Sequence, residues 1–178
     1  MSTNVNIPGH FFKHPNRSYH LRELAALLRL NPVTVKRKLA GPVRAGLLKV
    51  SRERRFLLYH ANTDSPSFRR LKIEWNINRI HDSGLVDHIN DRLNLPVVIL
   101  FGSWARGENQ ERSDLDLFVL TESKAEVELS KFEKTLEAPI QLFRYNRRDF
   151  ETLTRKNKEL ANNIINGRVL AGFLEVFR

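Results

Sequence analysis

Apolar residues recur along this chain at two periods, and each change of period marks an element. Residues 9 to 14 read as a short apolar turn and Ser18 to His20 as a brief extended piece. Leu21, Leu24, Leu27 and Leu28 then fall on one helical face, which predicts an amphipathic helix over 21–30. Asn31 before Pro32 reads as an N-cap and first helical position, and Val35 and Leu39 give the buried side of a second helix. With that side inward, Val33, Lys36, Arg37 and Ala40 point outward, and Thr34 and Lys38 lie on the flanks. Gly41-Pro42 predicts that this helix ends or kinks near Ala40, because proline lacks an N–H and crowds the residue before it. Leu47 to Val50 and Phe56 to His60 read as a hairpin whose turn, Ser51 to Arg55, carries three arginines.

Turn composition over Asn62 to Pro66 marks a boundary. From Ser67 to His81 a helix carries Phe68, Leu71 and Trp75 on one face and Ile73, Ile77 and Ile80 on another, so it is expected to be buried on two sides. Leu85, Val86, Ile89 and Leu93 form a single helical stripe, and Val97 to Phe101 is a continuous β-branched run that Gly102 and Ser103 end. Leu115, Leu117 and Val119 alternate with Asp114 and Asp116, which places both carboxylates on one strand face. Ala125, Leu129, Phe132 and Leu136 recur at helical spacing, Pro139 to Phe143 reads as a third strand, and 157–173 as a last helix interrupted around Gly167. The expected division is 1–64, a connecting helix over 65–83, and 84–178.

Charge sharpens that division. The 178 residues carry a net charge of +10. Residues 1–80 hold 16 Lys/Arg against 4 Asp/Glu, or +12, and 81–178 hold 14 against 16, or −2. A basic half joined to a near-neutral half implies that the first meets a polyanion and the second does other work. The 41% hydrophobic content is enough for a packed core, and the lack of cysteine excludes disulfides and thiol chemistry. No apolar run approaches a bilayer-spanning length and MSTNVNIPGH lacks signal-peptide order, so no membrane association and a cytoplasmic location are expected.

Two like charges on one strand face become tolerable when a divalent cation bridges them, and oxygen ligands suit magnesium. Gly102 and Ser103 can offer backbone N–H groups and a hydroxyl to phosphate, and Arg106 a guanidinium. Gly-Ser, ten residues, then Asp-x-Asp resembles the DNA polymerase beta-like nucleotidyltransferase superfamily, most closely its minimal nucleotidyltransferases. The resemblance covers 84–178. It implies an α/β (α+β) mixed sheet flanked by helices, a nucleoside triphosphate (ATP is expected) held with Mg2+ at Asp114 and Asp116, and phosphates at Gly102, Ser103 and Arg106. The implied reaction is transfer of a nucleotidyl group to a hydroxyl, on a partner protein such as a toxin or on a small molecule. The superfamily's third carboxylate falls at Gln141, and an amide cannot take a proton from an attacking hydroxyl.

Helix, turn, basic helix and a hairpin with a basic tip resemble the winged helix-turn-helix of ArsR-like and MarR-like transcriptional regulators, over residues 7 to 62. That implies double-stranded DNA as partner and Thr34, Lys36, Arg37, Lys38, Arg52, Arg54 and Arg55 as contacts, with a homodimer on paired half-sites compatible with it. Three readings stay open: a DNA-binding protein with an active nucleotidyltransferase domain, a non-catalytic transcriptional regulator whose second domain senses nucleotide or mediates dimerisation, and a protein whose polyanion is RNA. Other motifs fail. Gly102 and Gly107 have P-loop spacing, but Glu108 stands where lysine is required, and the six histidines form no HExxH motif.

Overall fold

Helix caps and buried stripes explain most of the element boundaries in the computed structural model, which describes residues 7–175. Contacts divide the chain into two units, Met1–Trp75 and Asn76–Arg178. In the first unit α1 spans Ile7–Lys13, β1 Tyr19–His20, α2 Leu21–Leu27 and α3 Pro32–Arg44, followed by β2, Leu48–Glu53, and β3, Phe56–Ala61. β3 is the central strand of an antiparallel sheet in the order β1-β3-β2. Phe11, Tyr19, Leu24, Val35, Leu39, Leu48 and Tyr59 are buried together in its core.

Four expectations for this unit change. Residues 9–13 belong to a helix, because Ile7, Phe11 and Phe12 line up on one buried face. α2 stops at Leu27, which is 49% exposed, and Leu28 and Leu30 turn back onto the core instead. Arg29 takes a left-handed φ of 53° to make that reversal. α3 does not end near Ala40. Asn31 caps it by accepting from the Val33 N–H at 2.8 Å, and it continues through Pro42 to Arg44. Gly41 has no Cβ to meet the proline ring, and Val43 extends the Val35–Leu39 stripe onto the core, so one missing hydrogen bond is outweighed. The hairpin is also tighter than expected. Glu53 pairs with Phe56, leaving Arg54-Arg55 as the turn, with Arg54 at φ 52°.

The division between units falls inside α4, Pro66–Asp82. The second unit continues with α5, Leu85–Leu93, β4, Val97–Phe101, α6, Gly102–Arg106, and β5, Leu115–Leu120. Then come α7, Ser130–Leu136, β6, Ile140–Tyr145, α8, Arg147–Lys156, α9, Lys158–Ile165, and β7, Arg168–Ala171. The sheet order is β6-β5-β4-β7, with β5 and β6 parallel and the other pairs antiparallel.

Both faces of this sheet are covered. Val98, Leu100, Leu115, Leu117 and Val119 meet α5, α6 and α7 through Ile89, Trp104 and Phe132. Ile99, Phe101 and Phe118 meet α8 and α9 through Phe150, Leu153 and Ile164. Two expectations change here as well. The helix read from Ala125 begins only at Ser130, since Ala125 is exposed and Val127 and Leu129 pack without helical geometry. The tail is no interrupted helix: after Gly167 it becomes β7, on the open edge of β4. A Cβ on Gly167 would stand 2.5 Å from the Leu100 carbonyl oxygen, so only glycine lets the chain pass that close.

Candidate functional site

The acidic pair sits where β4, α6, β5 and β6 meet. β5 turns Leu115, Leu117 and Val119 into one core layer, so Asp116 shares the other face with the fully buried Phe118. That face lies beneath α8 and α9 rather than open to solvent, and Asp116 is only partly exposed. Burial, then the like charge of Asp114, push the Asp116 carboxyl above the usual carboxylate range, and Arg106 pulls weakly the other way.

Gly102 opens α6 with φ 68°, and a Cβ there would collide with the Asp116 carboxylate. The glycine therefore serves two ends: it allows a left-handed turn and leaves room for a carboxylate against the backbone. Phe101 and Gln141 both lie in register with Asp116, on either side of it in the sheet. The Gln141 side-chain amide donates to Oδ2 of Asp114 at 2.5 Å. Gly102, Asp114, Asp116 and Gln141 are thus brought together from four points in the sequence. Ser103 adjoins them on α6, its carbonyl accepting from the Glu108 N–H at 2.9 Å. Arg106 is exposed and engaged with Glu108 at 2.8 Å.

A polar brace behind α6 carries no motif. The Asn76 side chain is fully buried and donates to the Trp104 carbonyl and to Oδ1 of Asn109, both at 2.9 Å. The Trp104 indole N–H donates to the Ser113 carbonyl at 3.2 Å, next to Asp114. Arg79 places its guanidinium over the Trp104 ring, 5.7 Å from the centroid, and donates to the Leu136 carbonyl at 2.6 Å. Asn76 thus holds the end of α6 and Asn109 within the Gly107–Ser113 loop, and the Trp104 indole holds the loop's far end at Ser113. The only sequence signal for it is an asparagine among the isoleucines of α4.

Oxygen donors suit a hard cation here, but no group of three His, Cys, Asp or Glu side chains that could hold one occurs among the described residues. Two carboxylates, one with a raised pKa, fit a single magnesium ion that completes its shell from water and phosphate. They do not form an all-protein cage.

The basic residues of the first unit are on its surface. Lys36, Arg37, Lys38, Arg52, Arg54 and Arg55 are exposed, Thr34 is partly so, and none of the six cations has an ion-pair partner among the described residues. Lys36 on α3 and Arg55 at the hairpin turn line one groove. No helix among the described residues is long and apolar enough to cross a membrane.

Residues 85–172 match the family model described as Polymerase beta, Nucleotidyltransferase, just under half of the chain. No curated protein and no solved structure matches the chain. The matched span contains the whole sheet with Gly102, Asp114, Asp116 and Gln141, and it supports placing this part of the chain, as a nucleotidyltransferase-type domain, in the nucleotidyltransferase superfamily.

Proposed function

We propose that the second unit binds a nucleoside triphosphate, ATP in the first instance, with Mg2+, and transfers its nucleotidyl group to a hydroxyl, while the first unit holds double-stranded DNA. The observation that carries the first part is the convergence of Gly102, Asp114 and Asp116 at one sheet end, with the Asp116 carboxyl raised by burial and by Asp114. Asp114 and Asp116 would hold the cation, and Gly102 and Ser103 would receive phosphate. Magnesium bound there supplies positive charge to the phosphates and to the leaving pyrophosphate. The acceptor oxygen bonds to the α-phosphorus, the bond to the β-phosphate oxygen breaks, and the acceptor proton passes to solvent, because Gln141 has no lone base to receive it.

For the first unit, α3 following α2 across a short turn, and β2–β3 beside it, support a winged helix-turn-helix with α3 toward the major groove. Six unneutralised cations on α3 and the hairpin support a polyanionic partner.

A second reading has its own observation. Gln141 stands beside the acidic pair and already donates to Asp114, which favours a domain that binds nucleotide without turnover and regulates DNA binding. Incubation with Mg-ATP labelled at the α-phosphate, with pyrophosphate release as readout, separates the two. Label transfer supports the transferase. Saturable ATP binding that Asp114→Ala abolishes, with no pyrophosphate from wild type, leaves the sensor, and no ATP binding at all removes both.

A further inference from the structure

The first unit contains an open groove of about 600 Å³ between the start of α2, Lys36 of α3 and the start of β3. Its lining is mostly apolar. Tyr59 is buried and Leu21 partly buried at its floor, while Phe56 and Leu57 stand 62% and 47% exposed along it. The Phe56 ring meets His20 edge-on, with centroids 5.5 Å apart. Arg22, Lys36 and Arg55 border the groove, and none has an ion-pair partner among the described residues. Its one acid, Glu23, is taken up by Arg17 at 2.8 Å and caps the His20 N–H.

An exposed phenylalanine and leucine inside a ring of cations do not suit a merely solvated face, where the apolar area stays in water at a cost. A paired duplex does not use them either, since it presents phosphate and sugar and keeps the faces of its bases stacked. One ligand chemistry uses both halves: a base out of the stack, with a flat apolar face, attached to a phosphate. The cations select against a neutral apolar peptide. The apolar floor selects against phosphate alone.

We propose that this groove takes an unpaired nucleotide of a nucleic-acid strand, its base against Phe56 and Leu57 and its phosphate on Lys36 and Arg55. The proposal rests on reading the first unit as a nucleic-acid-binding module and specifies it: the preferred partner carries a single-stranded end, bulge or flipped base beside the duplex.

The test uses the full chain and fluorescence anisotropy at fixed salt. A blunt duplex is compared with a duplex bearing a short single-stranded extension, the two matched in phosphate number. The extended duplex is expected to bind at least about fivefold tighter, the lower end of what stacking one base on an aromatic ring provides. Phe56→Ala is expected to bring that ratio to about one, while Phe56→Trp retains it; the exposure of Phe56 makes both variants compatible with folding, checked by thermal melting. Equal affinities in wild type, with the duplex firmly bound, overturn the proposal alone. So does a preference that survives Phe56→Ala. Saturable binding of a free nucleoside monophosphate, with no advantage to the extended duplex, makes the groove a small-molecule site and also overturns it. Failure of every nucleic acid to bind removes this proposal and the duplex reading together.

Discussion

Gln141 lies in register with Asp116 on the neighbouring parallel strand, yet its side chain donates to Asp114 instead. It stands where the resemblance to nucleotidyltransferases expects a third carboxylate, and it presents a donor there. Gln141→Asp replaces the amide with a group able to accept a proton, and pyrophosphate release from Mg-ATP is expected to rise at least about tenfold, below the usual range for a positioned base. ATP affinity measured by calorimetry should change less than the rate. An unchanged rate with intact binding would favour the non-catalytic domain.

Gly102→Ala should be damaging well beyond the loss of a glycine. The left-handed φ costs an L-residue about 1–2 kcal/mol, and the new methyl displaces the Asp116 carboxylate as well. The expected result is a moderate fall in melting temperature and a loss of more than about tenfold in Mg-ATP affinity, since about 1.4 kcal/mol is one factor of ten. Gly84→Ala serves as control, for Gly84 has a similar φ of 76° but open space around its Cβ position. It should lose stability alone.

What the sequence disclosed and what it hid can be separated by range of interaction. The Asn31 cap, the Val35–Leu39 stripe and the alternation of Leu115, Leu117 and Val119 with Asp116 are local, and the structure has them where the pattern predicts them, with Asp114 falling just before β5. The hidden parts depend on distant partners. Pro42 stays helical because Val43 finds a core, and 168–171 becomes a strand because β4 offers an edge. α8 buries only Phe150 and Leu153 behind an Asn146 cap, too few apolar positions to mark a stripe by themselves within so polar a segment. At the candidate site the residue types are readable, but the Gln141 bond and the Asn76 brace are not, because each joins segments at least 27 residues apart.

Asn76→Leu should test that brace. It removes a donor from the Trp104 carbonyl and from Asn109 in a place closed to water, a change that typically costs about 1–3 kcal/mol. Urea unfolding should show that loss. Mg-ATP affinity should fall too, because the loop that joins α6 to Asp114 is released. Asp114→Ala is expected to do the reverse: abolish Mg-ATP binding while leaving stability equal or higher, since it removes the like charge beside Asp116.

Lys72 gives a pH signature. Its ammonium is buried on α4, and desolvation lowers its pKa to about 8. The unfolded chain holds that proton up to the ordinary lysine range, so between about pH 8 and 10 it binds more protons than the folded chain, and stability rises with pH. The full gain across the window is on the order of 3 kcal/mol. Chemical denaturation at about pH 7.5 and about pH 9.5, below and well within that window, should show the folded state gaining at the higher pH, and Lys72→Met should flatten that rise. A fall with pH in wild type would contradict the burial of a charged amine.

For the basic face, Arg37→Ala and the triple change Arg52→Ala, Arg54→Ala, Arg55→Ala are each expected to weaken duplex binding. The triple variant should also reduce the slope of log affinity against log salt by roughly 2 to 3, about 0.9 for each phosphate no longer neutralised. Unaltered binding in both would put the polyanion elsewhere on the molecule.

β7 has a consequence for the order of events during synthesis. Val98, Ile99 and Leu100 of β4 find their outer hydrogen-bonding partners only in 168–171. Until that segment emerges, the strand leading into Gly102 has one bare apolar edge, a ready template for pairing with another nascent chain. The sheet beneath the acidic pair therefore waits for a segment made well after β4, and a polysome making this protein holds many copies of that unfinished edge close together.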